Sequence, residues 1–456
     1  MRHCVLAPEK VGLLDFLKLA ILDRRLLSKF LQSTEADAEG KHERWWKIFL
    51  SLLMMKLLAF LKKPMELTGN AVEFILNLLS LNGGPIQLFF SILTRRVVIP
   101  EKRTERFIST IGQLDGRVDV HERRQLAAEM NNDPLIDLCV IASKVAYENE
   151  MVVKSIVHDR WNMNFVGFYN CWNDFQKQFS TQVFVMTDDP RDAGLILVAF
   201  RGTEPFDADD WTTDFDYSWY EVAGVGKIHV GFLEALGLGS RDEMEEFMKD
   251  VPPEMAEKSA YYTVARTVRS LLKAHCRAKF VVTGHSMGGA LAILFNVVMV
   301  LHDERDMARR WSGTYTFGQP RIGNEQLGHF MGPHLRGRFL RVVYANDLVA
   351  RLPYDDKNFM YKHFGTCLYY TPSFVPHQVE EAPDKNFFGI RYVISMRVNA
   401  LREVFRGLTM GHVYGPEYKE GWFCVFFRLV GVLLPGISAH SMTNYINSVR
   451  LGKQNH

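Results

Sequence analysis

Gly284-His285-Ser286-Met287-Gly288-Gly289 is the stretch that decides how this chain is read. It fits G-x-S-x-G, the turn that presents a nucleophilic serine between a strand and a helix. Lys279-Phe280-Val281-Val282-Thr283 precedes it, an apolar, β-branched run that predicts a buried strand. Ala290-Leu291-Ala292-Ile293-Leu294-Phe295 follows and opens a helix. The turn is tight, so a side chain at Gly284 or Gly288 would meet neighbouring backbone. The helix start leaves free N–H groups and a positive dipole end beside Ser286, both suited to a developing oxyanion. Further on, strands and helices alternate, which predicts a three-layer α/β domain.

A serine needs a base and an orienting acid to become a nucleophile. On this fold the acid and then the histidine follow the serine in the chain. Phe339-Leu340-Arg341-Val342-Val343-Tyr344 reads as a strand, and Asp347 lies just past its end, where such an acid belongs. Asp355 and Asp356 sit in a polar turn after Pro353 and read as solvated loop charges. Among fifteen histidines, His440 lies after all the other parts, near the C-terminus. His363 sits in an aromatic stretch, His377 in a proline-bounded loop, and His412 follows Met410-Gly411. Position alone leaves both His440 and His412 open.

Six ordered motifs then make the chain resemble the fungal-type class 3 lipases, from about residue 137 to residue 452. They are Val198-Ala199-Phe200-Arg201-Gly202-Thr203, Asp210-Trp211-Thr212-Thr213-Asp214, His229-Val230-Gly231-Phe232, and Phe317-Gly318-Gln319-Pro320-Arg321-Ile322-Gly323-Asn324. Asp347-Leu348-Val349 with Leu352-Pro353, and His440 through Tyr445, complete the series. The resemblance implies an α/β-hydrolase fold, a Ser286–Asp347–His440 triad with His440 preferred over His412, and an oxyanion hole made by Thr203 and Met287. Gly284, His285 and Gly288 frame the nucleophile. Arg201 is read as a buried guanidinium holding the loop that presents Thr203. The chemistry implied is ester hydrolysis, with no cofactor and no metal. Where the family carries an apolar lid, residues 204–211 are short and acidic, and they read as a solvated loop. Their aspartates lack the glycine and final glutamate of an EF-hand, so no calcium site is expected.

Composition agrees with an ordinary globular protein. Of 456 residues, 47% are apolar and 23% charged, and the net charge of +2 gives no case for nucleic acid. Six scattered cysteines form no C-x-x-C pair and fit free thiols. The N-terminal part differs in composition. Residues 13–19 read as a short amphipathic helix without the form of a signal peptide. Two apolar runs follow, over residues 45–61 and 74–93, the second broken by Asn82-Gly83-Gly84-Pro85. Lys62, Lys63, Arg95 and Arg96 flank that second run, and basic flanks on one side of a surface predict a hairpin dipping into it. Trp45 and Trp46 suit an interface. Packed core helices and a spanning helix are the alternatives. The division expected is a membrane- or droplet-associating region (1–95), a charged connector (96–136) and a catalytic domain (137–456). Residues 254–278 read as one helix, residues 380–420 as an irregular insertion that shapes the acyl groove, and residues 422–434, too short to span a membrane, as a core element or part of a lipid-facing rim, core being preferred.

With the hydrophobic N-terminal region included, the resemblance narrows to plant oil-body triacylglycerol lipases. It implies acylglycerol substrates, a lipid-droplet monolayer or endoplasmic reticulum membrane as the site of action, and release of fatty acids. Plant relatives also include phospholipases A1 and galactolipases, which the triad alone does not separate. A catalytically silent droplet-coat protein is the reading from another class, and the intact motifs weigh against it.

Overall fold

Apolar runs without alternation, such as Leu195–Phe200 and Lys279–His285, belong to strands covered on both faces, and they form the centre of the molecule. The structure, a computed structural model, describes residues 2–10, 12, 31–33, 41–121, 133–241, 253–354, 361–383 and 390–452. Its strands are β1 (Arg2–Leu6), β2 (Leu31–Ser33), β3 (Asn164–Asn173), β4 (Gln178–Thr187), β5 (Leu195–Phe200), β6 (Trp219–Val222), β7 (Gly226–His229), β8 (Lys279–His285), β9 (Trp311–Phe317), β10 (Phe339–Tyr344), β11 (Thr366–Tyr370) and β12 (Pro376–Val379). The large sheet runs β12-β11-β10-β9-β8-β5-β4-β3. Its five central strands, from β5 to β11, are parallel, and the flanking pairs are antiparallel.

Successive residues of each central strand feed opposite cores. Val198, Phe200, Phe280 and Val282 pack with helices α5 (Ala260–Ala274) and α6 (Met287–Leu301). Leu197, Ala199, Val281 and Phe317 pack with α3 (Asp133–Val145) and α9 (Met442–Leu451). The helix predicted over residues 254–278 is two, Pro253–Lys258 and α5, parted at Ser259. A second sheet, β2-β1-β6-β7, joins the first residues of the chain to the middle, with Cys4 paired to Trp219. All six cysteines are free thiols.

The first N-terminal apolar run and the start of the second lie in one long helix, α1 (Lys41–Leu81), which passes through the proline at Pro64. Asn82-Gly83-Gly84 ends it, with φ of 75° and 96° at the two glycines, and α2 (Pro85–Leu93) starts at Pro85. The predicted break is there, but it joins a long helix to a short one. Ile48, Leu52 and Met55, spaced four and three apart, bury one stripe of α1 against Trp219, Leu352 and Tyr361. No described helix is long and apolar enough to cross a membrane. The amphipathic helix expected over residues 13–19, the carboxylates Asp355 and Asp356, and the side chains of Trp45 and Trp46 lie outside the described residues.

Two expectations near the C-terminus are corrected. The insertion read as irregular contains α7 (Ile390–Val413), a helix of 24 residues. The segment read as core is α8 (Trp422–Leu433), of which only Cys424, Arg428 and Gly431 are buried. Both helices also carry a stripe of apolar residues turned to solvent, so burial alone does not organise them.

Candidate active site

Four neighbouring parallel strands deliver the residues of the site to one edge of the sheet. β5 leads to Thr203, β8 to Ser286, β9 to Gly318 and β10 to Asp347. The carboxyl edge of a parallel sheet is where such loops converge. Ser286 holds φ 57° and ψ −134°, a strained conformation for a residue with a Cβ. The turn closes only because its glycines are bare. A Cβ on Gly284 would lie 2.2 Å from the Gly288 carbonyl oxygen, and one on Gly288 would lie 2.4 Å from that of Phe200.

Asp347, wholly buried, accepts four hydrogen bonds. Its Oδ1 accepts from the backbone N–H of Val349 at 2.8 Å and of Ala350 at 3.4 Å. Its Oδ2 accepts from His440 Nδ1 at 2.8 Å and from the Tyr445 hydroxyl. With Nδ1 donating, the neutral His440 ring presents Nε2 as an acceptor. Neither His440 Nε2 nor Ser286 Oγ has a hydrogen-bond partner among the described residues, although both atoms are buried.

His285, next to the serine, is excluded as a base by its own bonds. Its Nε2 donates to the His440 carbonyl at 2.9 Å, which leaves Nδ1 to accept from the Tyr147 hydroxyl at 2.8 Å. Burial, with the neighbouring His440 ring, holds its pKa well below the usual histidine range. The neutral ring stacks on His440 with centroids 4.4 Å apart and fixes one of its faces. Of the other histidines, His363 is bonded to the Ala350 carbonyl at 2.8 Å, while His377 and His412 are exposed.

The Thr203 side is built differently. Arg201 donates to the Ser180 carbonyl at 2.9 Å and pairs with Glu204, so its guanidinium holds the loop. The Thr203 hydroxyl donates to Asp214 Oδ2 at 3.2 Å, and Met287 opens α6 beside Ser286. Residues 204–211 are not the solvated loop that their acidity suggests. Asp207 accepts from the N–H groups of Asp209 and Asp210 and so caps helix α4 (Ala208–Phe215). Asp210 and Asp214 are fully buried. Burial pushes Asp210 up to about 7 and Asp214 up to about 8, the latter against the Thr203 hydrogen bond. The available signal was an aspartate placed as an N-cap before Ala208. Helix α1 lies on α4 and is tied at both ends, by Lys62–Asp209 at 2.6 Å and by the Ser51 hydroxyl on the Phe215 carbonyl at 2.7 Å.

This arrangement offers a buried serine, an imidazole with an open nitrogen, a saturated carboxyl group and the Thr203 loop at one sheet edge. Such parts suit acyl transfer. Residues 197–357 match the class 3 lipase family. Over 99% of its length the chain is 48% identical to triacylglycerol lipase OBL1 of Arabidopsis thaliana, spanning 95% of that protein. It is 48% identical to the protein of the same name from Nicotiana tabacum, over 90% of this chain and 83% of that one. A third of that name, from Ricinus communis, is 38% identical over 99% of this chain and 95% of its own length. The chain belongs to the class 3 lipases, among relatives named triacylglycerol lipase OBL1.

Proposed function

We propose that the protein hydrolyses triacylglycerol, and the diacylglycerol it yields, through an acyl-enzyme on Ser286. His440 Nε2 takes the Ser286 proton as Oγ attacks the ester carbonyl. Asp347 holds the imidazole in the tautomer that leaves Nε2 open and stabilises the charged ring that forms. The oxygen of the tetrahedral intermediate accepts hydrogen bonds from the Thr203 and Met287 side of the site. One such donor contributes roughly 3–4 kcal/mol in other enzymes. His440 then gives its proton to the departing glycerol oxygen, and water repeats the steps on the acyl-serine.

The observation that carries this reading is the 2.8 Å bond from His440 to a saturated Asp347 at the sheet edge that also bears the strained Ser286. The names of the relatives support the acylglycerol substrate. The site of action is the surface of a lipid droplet, with residues 1–95 contributing to association, residues 96–136 connecting and residues 137–456 carrying the chemistry. Fatty-acid release from emulsified triolein, phosphatidylcholine and monogalactosyldiacylglycerol, measured in parallel, tests the substrate. Release chiefly from triolein is expected, and Ser286→Ala should lower it by at least about 10⁴-fold. Preference for either polar lipid would overturn the triacylglycerol assignment, and undiminished release by the variant would overturn the nucleophile.

A further inference from the structure

Helices α7 and α8 form an antiparallel pair, with the Arg397 guanidinium donating to the Val432 carbonyl at 3.1 Å. The exposed apolar residues of α7 include a stripe of Ile394, Val398, Leu401, Phe405 and Leu408, in steps of four and three. On α8 they are Trp422, Phe426, Leu429 and Leu433, in the same steps. This is the spacing of a core-facing stripe, yet Ile394 is 70% exposed, Phe405 70% and Leu433 73%. An exposed apolar raft of this extent marks an interaction surface.

The opposite faces of the two helices carry the polar groups. Arg428, 2% exposed, pairs with Glu420 and, at 3.4 Å, with Glu403. It also donates to Asn444 Oδ1 at 3.1 Å, while the Ser438 hydroxyl donates to Glu403 at 3.3 Å. Ser438 and Asn444 bracket His440, so the raft is fastened to the loop that carries the imidazole. The backbone leaving α8 also meets the acid loop, where the Leu348 N–H donates to the Gly436 carbonyl at 3.3 Å.

We propose that the α7–α8 pair is a lipid-docking surface that seats the site on a phospholipid-coated triacylglycerol surface. This deepens the reading given above and rests on it. Charge selects the occupant. Among the described residues the only carboxylate on either helix, Glu403, is buried, whereas Arg397 and Arg402 are exposed. An apolar face with exposed guanidinium groups and no exposed carboxylate suits acyl chains beneath phosphate headgroups. Two copies of the face would bring like charges together. Continuity supports the same occupant, because the raft adjoins the His440 loop through which an ester drawn from the lipid would reach Ser286.

The test compares the full chain with a variant carrying Ile394→Ser, Phe405→Ser, Phe426→Ser and Leu433→Ser, all at exposed positions. Flotation with triolein droplets coated in phosphatidylcholine and phosphatidylserine reports docking. Hydrolysis of monomeric p-nitrophenyl butyrate reports the chemistry. The variant should lose at least about tenfold in droplet binding and in triolein hydrolysis, because each substituted side chain no longer leaves water. Its butyrate hydrolysis should stay at the level of the wild type. Unchanged droplet binding and triolein hydrolysis would overturn the proposal, as would a wild-type dimer that the variant dissolves. Failure of the wild type to hydrolyse butyrate would refute the reaction instead, and flotation would still score the docking.

Discussion

The two sides of the Ser286 site are finished to different degrees. On the Asp347 side every acceptor is filled: Oδ1 takes two backbone N–H groups, and Oδ2 takes the imidazole and a tyrosine hydroxyl. On the other side Ser286 Oγ, His440 Nε2 and Asp214 Oδ1 are buried and lack partners among the described residues. A buried polar atom without a partner costs about 1–3 kcal/mol, so the open side is held open by the fold around it. The difference separates two tasks. The filled side sets one orientation and one tautomer before any substrate arrives. On the reading proposed above, the open side leaves Nε2 free to take the Ser286 proton as Oγ attacks an ester. Strain at Ser286 and empty valences beside it are compatible with stability because the strands beneath, β5 and β8, are buried along almost their whole length.

Asp347→Asn breaks the filled side and should have a larger effect than either change on the open side. The amide keeps the shape, but its NH₂ group would face His440 Nδ1 and favour the tautomer that protonates Nε2. That ring cannot accept the serine proton. The turnover number for butyrate hydrolysis should fall by about 10⁴-fold with little change in KM. A melting temperature within a few degrees of the wild type would assign the loss to chemistry. A fall of less than tenfold would show that another carboxylate orients His440.

The order of the parts was legible because each rests on a local rule. A serine between two required glycines, a β-branched run before it and a helix opening after it leave few other foldings, and the sheet follows from runs such as Leu195–Phe200. The placing of Asp347 just past β10 was legible for the same reason. What escaped was decided by contacts distant in sequence. Asp210 looks like a solvated charge, but it is buried and accepts from the Gln176 amide at 2.7 Å and the Glu204 N–H at 3.1 Å. The run Trp422–Leu433 looks like core by composition. Its spacing, with Arg428 opposite Phe426 and Leu429, already implied one apolar and one polar face. Which face turns inward was set by Glu403 and Glu420, and no periodicity reports a buried guanidinium's partners. In the N-terminal region the break at Asn82–Pro85 was visible, whereas the docking of Ile48, Leu52 and Met55 against Trp219 depended on residues far along the chain.

Thr203→Val sharpens the comparison on the open side. Valine keeps the shape and the backbone N–H but removes the hydroxyl that now donates to Asp214. If that hydroxyl turns to the oxyanion in the transition state, its loss should lower the turnover number by about 10²-fold and leave KM nearly unchanged. Steady-state rates on butyrate ester decide this. A change in KM alone, or none, would make the hydroxyl a structural partner of Asp214 only.

Asp214→Asn should have the smallest effect on rate at neutral pH, within about tenfold, yet it probes why the open side stays open. One hydroxyl hydrogen serves one acceptor, so Thr203 cannot donate to an ionised Asp214 and to an oxyanion at once. Burial raises Asp214 to about 8, so at neutral pH its carboxyl carries a proton and can donate to Thr203, freeing the threonine hydrogen. Above that pH the carboxylate reclaims it. The stability follows the same sign. A carboxyl whose folded pKa lies above its unfolded value of about 4 contributes stability that is fully present below that value and is lost as pH rises through the folded pKa. Asp210 and Glu73, each raised to about 7 by burial, add losses of the same sign over a slightly lower range. Thermal melts of the wild type should therefore fall from about pH 4 to about pH 8 and level off above that, and Asp214→Asn should flatten the fall, most visibly between about pH 7 and 8. Butyrate hydrolysis should decline above about pH 8 in the wild type and less steeply in the variant. Parallel melting curves and parallel rate profiles would mean that Asp214 is ionised throughout, and the free valence of the open side would then need another cause.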